Sequence, residues 1–351
     1  MASGGGAATT CKTDTFNAVN TVSGLAGGYH QAMHFFDADA TLAALPFDQL
    51  IPALRERFAG GCEVPPRHVH ELISPIGEAG GDPAARRMTS LIMPAWIAGR
   101  YYGVKIVNIA PGNAKRGLPG LHATYMLFDA RTGAPLAQMD GDVVTARRTA
   151  AASALAASYM ARANASHLLL VGAGRVARLL PEAHRTVRPI ERVTVWARRE
   201  SEAQALADQL RGQGFNASAT GQLAAACGEA DIVSCATLST EALVRGAWLA
   251  PGSHLDLIGS FTPAMREADD ACFEGARLFL DTDEALQKSG DLLIPMQHGA
   301  LRAEDVRGTL TTLSKGVATG RKNDTERTVF KSVGTALEDL AAAILVHESA
   351  H

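Results

Sequence analysis

Cysteine, long apolar runs and net charge are all scarce in this chain of 351 residues, and each scarcity argues against a class of protein. The five cysteines are scattered and include no Cys-x-x-Cys pair, which argues against a disulfide framework and against a cysteine zinc site. No apolar run approaches the roughly 20 residues that cross a bilayer. The formal net charge of −3 gives no electrostatic reason to expect binding to nucleic acid or to an anionic membrane.

Composition and periodicity divide the chain into segments. No basic segment followed by an apolar one opens the sequence, so we expect a cytoplasmic protein with free thiols. Residues 1–30 are rich in Gly, Ala, Ser and Thr, which predicts a disordered tail. Residues 31–148 mix strand and helix patterns, and we expect residues 316–351 to return to that domain. In residues 149–315 short apolar strands alternate with helical segments, as in parallel sheets. The expected fold class is α/β, with a Rossmann-type dinucleotide-binding domain and a mixed α+β domain for substrate binding.

A glycine-rich turn follows the first apolar strand of the second domain, in the segment LLLVGAGRVARL. Gly172 permits a tight turn, Gly174 lets the backbone approach a pyrophosphate, and Ala177 lets the next helix pack closely on the strand. Arg175 and Val176 complete the pattern at the expected helix start, whose N-terminus would bind phosphates. The strand–turn–helix order predicts a nicotinamide dinucleotide site. The alternative is a plain tight turn in an unrelated α/β fold.

The end of the following strand indicates which dinucleotide is bound. NAD enzymes place Asp or Glu there for the ribose hydroxyls, whereas this chain has Ala197 followed by Arg198 and Arg199. Arginines suit a 2′-phosphate, so we predict NADP(H), with NAD(H) left open and two solvated surface arginines as the alternative. Thr237 and Ser239 end a later strand and should lie over the cofactor.

Two adjacent arginines, Arg147 and Arg148, open an alanine-rich helix. Because a helix N-terminus already carries partial positive charge, arginines are unfavourable there unless they bind a negative group. With a dinucleotide site nearby, the expected group is a negatively charged substrate.

Several further segments carry a resemblance to a known family. They are "VPPR", "MPAW", "GVKIVNIAPGN", "GLPG", "MDGDVVTARRTAAASALAA", "VGAGRVA", "PGSHLDLIGSFTP", "SGDLL" and "FKSVGTALEDLAAA". Together they resemble the ornithine cyclodeaminase/μ-crystallin family over nearly the whole chain from about Met33. The resemblance implies an amino or imino acid substrate whose carboxylate is held by Arg67, Lys105 and Arg148, and a homodimer formed through the substrate domain. Arg147 is then expected to be a surface charge.

One position departs from the cyclodeaminase pattern. Where ornithine cyclodeaminases and similar archaeal alanine dehydrogenases carry an aspartate, this chain has Phe261, which can neither take a proton nor pair with an ammonium. The family's ketimine reductases also lack that aspartate. The resemblance therefore implies NADPH-dependent reduction of Δ1-pyrroline-2-carboxylate or Δ1-piperideine-2-carboxylate, with Phe261 packed against the substrate ring. An ornithine cyclodeaminase, an amino-acid dehydrogenase, or a binding protein that holds NADPH and a small ligand without turnover are the alternatives.

The sequence offers few other candidates for the chemistry. Lys105 is the expected proton donor to the imine, with His122 as the alternative. His68 and His70 share one face of a strand, but no third ligand follows, so we predict no metal site. Asp256 is expected to be structural or to lie near the nicotinamide.

Overall fold

Two β-sheets form the frame of the protein, for which a computed structural model describes residues 19–21, 33–73 and 87–350. The strands of the first sheet are β1 (Val19–Thr21), β2 (His34–Phe36), β3 (His68–Ile73), β4 (Arg87–Ile97), β5 (Tyr101–Ile109), β6 (Leu121–Asp129) and β7 (Pro135–Asp140). Their order is β1-β2-β7-β6-β5-β4-β3, and all neighbours are antiparallel except β2 and β7. A tight turn joins β4 to β5, and a longer segment that contains a 3₁₀ helix (Pro111–Arg116) joins β5 to β6.

The second sheet is parallel throughout. Its strands are β8 (His167–Val171), β9 (Arg192–Trp196), β10 (Asn216–Ala219), β11 (Ile232–Cys235), β12 (His254–Leu257), β13 (Arg277–Leu280), β14 (Val306–Thr309) and β15 (Thr328–Lys331). The order β10-β9-β8-β11-β12-β15-β13-β14 runs outwards from β8 in both directions. In such sheets ligands bind beyond the carboxyl ends of the strands where the order reverses, which here lies between β8 and β11. The predicted α/β fold class is confirmed.

Helices pack on both sheets and between them. They are α1 (Ala38–Ala43), α2 (Phe47–Gly60), α3 (Gly141–Met160), α4 (Leu180–Arg185), α5 (Glu200–Gly212), α6 (Leu223–Glu229), α7 (Ala285–Lys288), α8 (Gly290–Gln297), α9 (Leu310–Ser314) and α10 (Ala336–Glu348). α3 contacts β6 in the first sheet and β12 and β15 in the second, while α10 contacts β4, β5 and α2. The run of alanines in α3 is buried, because small side chains let the helix approach elements on several sides. Within the described ranges, no helix combines the length and apolar character needed to cross a bilayer.

Two predicted boundaries are wrong. Val19–Thr21, inside the predicted tail 1–30, form β1 because they pair with β2; the rest of that range up to residue 30 lies outside the described residues. The segment 316–351 does not return to the first domain as a whole, because β15 inserts between β12 and β13 of the parallel sheet. From this segment, α10 packs on the first sheet, where it contacts β4 and β5.

The start of α3 also differs from the prediction. Asp140 caps the helix by accepting a hydrogen bond from the backbone N–H of Val143, so the helix begins at Gly141. Arg147 and Arg148 therefore lie in its second turn, beyond the region where the helix dipole acts strongly. Their charges are explained by side-chain partners instead.

Candidate active site

The glycine turn after β8 has the geometry that a dinucleotide requires. Gly172 has φ +118°, and a Cβ there would lie 2.7 Å from the carbonyl oxygen of Ala236 at the end of β11. Only glycine fits this close approach of the two strand ends. At Gly174 an added Cβ would meet nothing within 4 Å, so the backbone faces open space that a pyrophosphate could fill. Ala177 is fully buried, as expected for close packing behind the turn.

The regular helix expected directly after the turn is absent. Residues 175–179 form turns, and α4 begins only at Leu180. Pro181 occupies the first turn of α4, where its missing N–H leaves no intrahelical bond unmade. Arg175 is exposed beside the Asp142 carboxylate at 3.4 Å, and Val176 is half-buried. Phosphate groups would therefore meet turn backbone at this edge.

Arg198 and Arg199 project from the carboxyl end of β9 and are exposed. The Arg199 guanidinium pairs with Glu202, and both Arg199 and Arg198 lower the pKa of that carboxyl. A cavity of about 330 Å³ lies beside them, between the start of α5 and the end of β10. Its lining includes Glu200, Ser201 and Thr220.

Thr237 and Ser239 follow β11 at the same edge of the sheet as the glycine turn. A Cβ on Gly172 would lie 3.3 Å from Cγ2 of Thr237, so Thr237 borders the cleft directly. The backbone N–H and the hydroxyl of Thr237 both donate to Glu267, and the Ser239 N–H donates to the Thr237 hydroxyl. Sequence reasoning predicted the position of Thr237 and Ser239 but not the carboxylate behind them.

Lys105 and Arg148 meet at the N-terminus of α10. Lys105 Nζ lies 2.7 Å from Oδ2 of Asp339, and Arg148 Nε donates to Oδ1 of the same carboxylate at 2.9 Å. A second guanidinium nitrogen of Arg148 donates to Oε2 of Glu338 at 2.6 Å. Lys105 is 1% exposed and Arg148 is 7% exposed. Two carboxylates of α10 therefore pair with these cations, which the sequence analysis does not predict.

Arg67 reaches the same cluster from the start of β3. Its guanidinium donates to the carbonyl oxygen of Gly334 at 3.0 Å and pairs with Glu284 at 3.5 Å. Gly334 has φ +78°, and a Cβ there would lie 2.7 Å from the Arg148 guanidinium. Arg67 and Arg148 thus approach one glycine from two sides. The three predicted carboxylate ligands are brought together around the loop that follows β15.

This loop lies at the carboxyl edge of the parallel sheet. Asp281, directly after β13, accepts hydrogen bonds from the backbone N–H groups of Val333 and Gly334. Burial raises the pKa of Asp281, while the hydrogen bonds of those N–H groups act in the opposite direction. The arginine cluster and the glycine turn therefore share one edge of the sheet, the edge at which such folds bind ligands.

Burial and charge set the protonation of the cluster. Burial and the neighbouring Arg148 charge lower the pKa of Lys105 to about 8, against the opposing effect of Asp339. Burial raises the pKa of Glu338 to about 8, with Arg148 acting in the opposite direction. Burial alone would raise the pKa of Asp339, but Lys105 and Arg148 outweigh it and lower that pKa. Burial thus favours the neutral form of Glu338, whereas the two neighbouring cations favour the ionised form of Asp339.

Four other residues considered in the sequence analysis, Phe261, His122, His68 and His70, lie at separate positions in the fold. Phe261 follows β12 at the ligand edge and is 44% exposed. His122 lies at the start of β6, opposite Asn108, three positions along β5 from Lys105. His68 and His70 stack with ring centroids 6.4 Å apart on the exposed edge strand β3. No group of three or more metal-ligating side chains occurs in the part of the chain that the structure describes.

The structure decides between the two alternatives for Asp256 and corrects the expected exposure of Arg147. Asp256 lies within β12 and is fully buried, accepting hydrogen bonds from Ser153 of α3 and Ser234 of β11. It is therefore structural, because it faces α3 rather than the ligand edge. Arg147 is not a surface charge, since it is 5% exposed, donates to the carbonyl oxygen of Leu45 and stacks over Phe47 at 3.7 Å.

Glu338 and Asp339 are the missed site residues that contact the predicted carboxylate ligands most directly. In the sequence, Thr335 followed three positions later by Glu338 is the pattern of an ordinary helix N-terminus. The Thr335 side chain does cap α10. Acidic residues in a first helical turn have a sufficient local explanation in the helix dipole. Only the three-dimensional structure shows that they face Arg148 and Lys105.

Comparisons with known proteins agree with this geometry. The profile of the ornithine cyclodeaminase/mu-crystallin family matches residues 83–351. A Delta(1)-pyrroline-2-carboxylate reductase of Paracoccus denitrificans is 46% identical over 257 residues, covering 73% of this chain and 81% of that protein. The structure of the Thermococcus litoralis Delta(1)-pyrroline-2-carboxylate reductase with NADH and L-proline has a TM-score of 0.82 at 31% identity, covering 90% of this chain and 97% of that one. An archaeal alanine dehydrogenase dimer with bound NAD has a TM-score of 0.81 at 30% identity, with coverages of 91% and 96%.

Proposed function

We propose that this chain, which belongs to the ornithine cyclodeaminase/mu-crystallin family, reduces a cyclic ketimine carboxylate with NADPH. It is an NAD(P)H-dependent imine oxidoreductase. The proposed substrates are Δ1-pyrroline-2-carboxylate and Δ1-piperideine-2-carboxylate, and the products are L-proline and L-pipecolate. The observation that carries the proposal is the convergence of Arg67, Lys105 and Arg148 at the ligand edge of the dinucleotide-binding sheet.

The two arginines would hold the substrate carboxylate. Arg67 and Arg148 flank Gly334 at the end of a loop anchored by Asp281, so the site lies on a fixed backbone. Fixing the carboxylate orients the imine carbon, and such positioning lowers the barrier by removing rotational freedom before reaction. The reduced nicotinamide supplies the hydride when it is bound.

Lys105 would supply the proton that the imine nitrogen needs. With a pKa of about 8, Lys105 is mostly protonated at neutral pH. It nevertheless releases a proton more readily than an ordinary lysine does. Asp339 holds the ammonium in place at 2.7 Å. The amine product retains the donated proton, and Lys105 regains one from solvent between turnovers.

Phe261 favours a ring substrate over a diamine. Its exposed aromatic side chain at the ligand edge can cover an apolar ring, but it cannot bind the second amino group that ornithine carries. The proposal therefore places imine reduction ahead of cyclodeamination.

The first test is NADPH oxidation at 340 nm with each imine. We expect turnover of at least one of the two imines and formation of the corresponding L-amino acid, because the carboxylate clamp and the proton donor are both present. Ornithine with NAD⁺ serves as the control reaction. Tight NADPH binding without turnover of either imine would contradict the proposed reaction and favour a binding role.

Preference for NADPH is the second part of the proposal and rests on Arg198 and Arg199. We expect Arg198→Ala/Arg199→Ala to raise KM for NADPH by about tenfold or more, because a charged hydrogen bond contributes roughly 1.5–3 kcal/mol. KM for NADH should change by less than about twofold, since NADH has no 2′-phosphate for these arginines. Steady-state kinetics with both cofactors measure the difference. Arg192→Ala, at the other end of the same strand, is the matched control, and equal effects on both cofactors would contradict the prediction.

We also propose a homodimer formed through the first sheet. The strands β3 and β5 leave apolar side chains exposed, among them Val69, Leu72, Ile73 and Tyr102. An exposed apolar surface of this kind is typical of a protein–protein interface. The alanine dehydrogenase with a similar structure is a dimer.

The cytoplasmic location stays a prediction.

A further inference from the structure

A buried carboxylate ties together the two strand ends that lie under the second half of the dinucleotide site. Glu267 is fully buried. One of its oxygens, Oε1, accepts the N–H of Thr237 at 2.7 Å and the hydroxyl of Thr237 at 2.8 Å. The other, Oε2, accepts the N–H of Gly259 at 2.7 Å. Thr237 follows β11 and Gly259 follows β12, so one side chain fixes both ends.

The contact between these two strand ends leaves little freedom. A Cβ on Gly259 would lie 1.9 Å from the carbonyl oxygen of Thr237 and 2.4 Å from Oε1 of Glu267. Three donors converge on the two oxygens of this side chain, and hydrogen bonds of this kind favour the ionised carboxylate over the protonated one. A glutamine would turn an NH₂ group towards one of the donors.

A second layer of buried charge supports Glu267. Asp291 accepts the backbone N–H groups of Glu267 and Ala268, at 2.7 and 3.1 Å. Lys331, at the end of β15, lies 3.3 Å from the Asp291 carboxylate and donates to the carbonyl oxygen of Leu257. Lys331 thus offsets one of the two carboxylates. Because one lysine faces two carboxylates, a net negative charge remains directly behind Thr237 when Glu267 is ionised.

The position of this charge matters for the cofactor. The half of the sheet formed by β8, β9 and β10 carries the glycine turn and the arginines proposed for the adenosine side. The nicotinamide side then falls over β11 and β12, since the two halves of such a sheet each bind one mononucleotide. Oxidised nicotinamide carries a positive charge that the reduced ring lacks. A buried anion below it therefore interacts differently with the two forms.

We propose that Glu267 is a positioning residue that both orders the nicotinamide side of the site and strengthens binding of the oxidised cofactor relative to the reduced one. The inference rests on nicotinamide binding and not on the identity of the imine. A carboxylate that favours the oxidised form also favours loss of hydride from the cofactor, the direction that imine reduction requires.

Cofactor affinities measured without substrate test the proposal. Binding of NADPH and NADP⁺ is titrated separately at pH 8.5, because burial raises the pKa of Glu267 to about 7 despite the opposing Lys331 charge. For Glu267→Gln we expect both affinities to fall by about tenfold or more, because the amide NH₂ faces an N–H donor and one of the two strand ends loses its acceptor. The affinity for NADP⁺ should fall by at least about threefold more than that for NADPH.

Two variants separate geometry from charge. Glu267→Asp keeps the charge but shortens the side chain, so both affinities should fall while their ratio stays that of the wild type. Glu274→Gln changes an exposed carboxylate of the same domain and should change neither affinity. If Glu267→Gln does not fold, Thr237→Val, which removes the hydroxyl bond to Glu267 and the one accepted from the Ser239 N–H, should still weaken both affinities by about threefold.

The outcomes are distinct from those of the imine assay. A Glu267→Gln protein that binds both cofactors as Glu274→Gln does, or whose two affinities fall equally, would overturn the proposal. In the fallback case, unchanged binding by Thr237→Val would overturn it. Failure of imine turnover in the wild type would instead contradict the proposed reaction and leave these binding measurements interpretable.

Discussion

Replacing Lys105 with methionine is expected to lower kcat for imine reduction by about 10²–10⁴-fold, the usual contribution of a general acid. Methionine has a similar length but no proton to give. Asp339 keeps Arg148 as a partner in the variant, so its carboxylate is not left unpaired. The Kd for NADPH, measured by fluorescence titration, should stay within about twofold of the wild type, because Lys105 lies on the first sheet and not at the glycine turn.

The pH dependence of kcat distinguishes a proton donor from a residue that only holds the carboxylate. A lysine that donates must be protonated, so kcat should be constant below its pKa and fall as the pH rises through about 8. Asp339→Asn removes a charge that raises this pKa, so the descending limb should move to lower pH. A profile that does not move in Asp339→Asn, or a Lys105→Met protein with near wild-type kcat, would exclude Lys105 as the donor.

Local spacing made the cofactor site predictable. Gly172, Gly174 and Ala177 form a short pattern directly after a strand, which can be recognised without knowing the distant neighbour of Gly172, the carbonyl oxygen of Ala236. The strands β8, β9 and β11 were equally clear because strands buried on both faces are short apolar runs. The edge strands β10 and β14 lack such runs, so no apolar pattern marks them in the sequence.

Long-range pairing limited what could be predicted about the substrate site. Arg148 and Asp339 lie 191 positions apart, and no local pattern links them. The sequence therefore predicted the cations but treated their charge as unmatched. The wrong domain for β15 has a related cause. β15 lies between β12 and β13 in the sheet although it follows both in the chain, and the order of the chain does not determine the order of strands in a sheet.

Replacing Arg148 with methionine is expected to cause the second large effect, on both stability and substrate affinity. The change leaves Glu338 and Asp339 buried with one cation fewer, and breaking a buried pair costs about 3–5 kcal/mol of folding free energy. Substrate binding loses one of two guanidinium groups, so kcat/KM should fall by about 100-fold or more, with most of the loss in KM. Denaturant unfolding and steady-state kinetics measure the two effects.

Arg147→Met is the matched control for this change, because it removes an equally buried arginine from the neighbouring position of α3. Arg147 bonds to Leu45 and Glu182 on another side of the helix, so its loss should lower stability without raising KM for the imine. If Arg147→Met raised KM as much as Arg148→Met, the kinetic effect of either change would follow from loosening of α3. If only Arg148→Met raises KM, the guanidinium acts on the substrate itself. The paired carboxylates of α10 are then the device that holds Arg148 in position until a substrate carboxylate arrives.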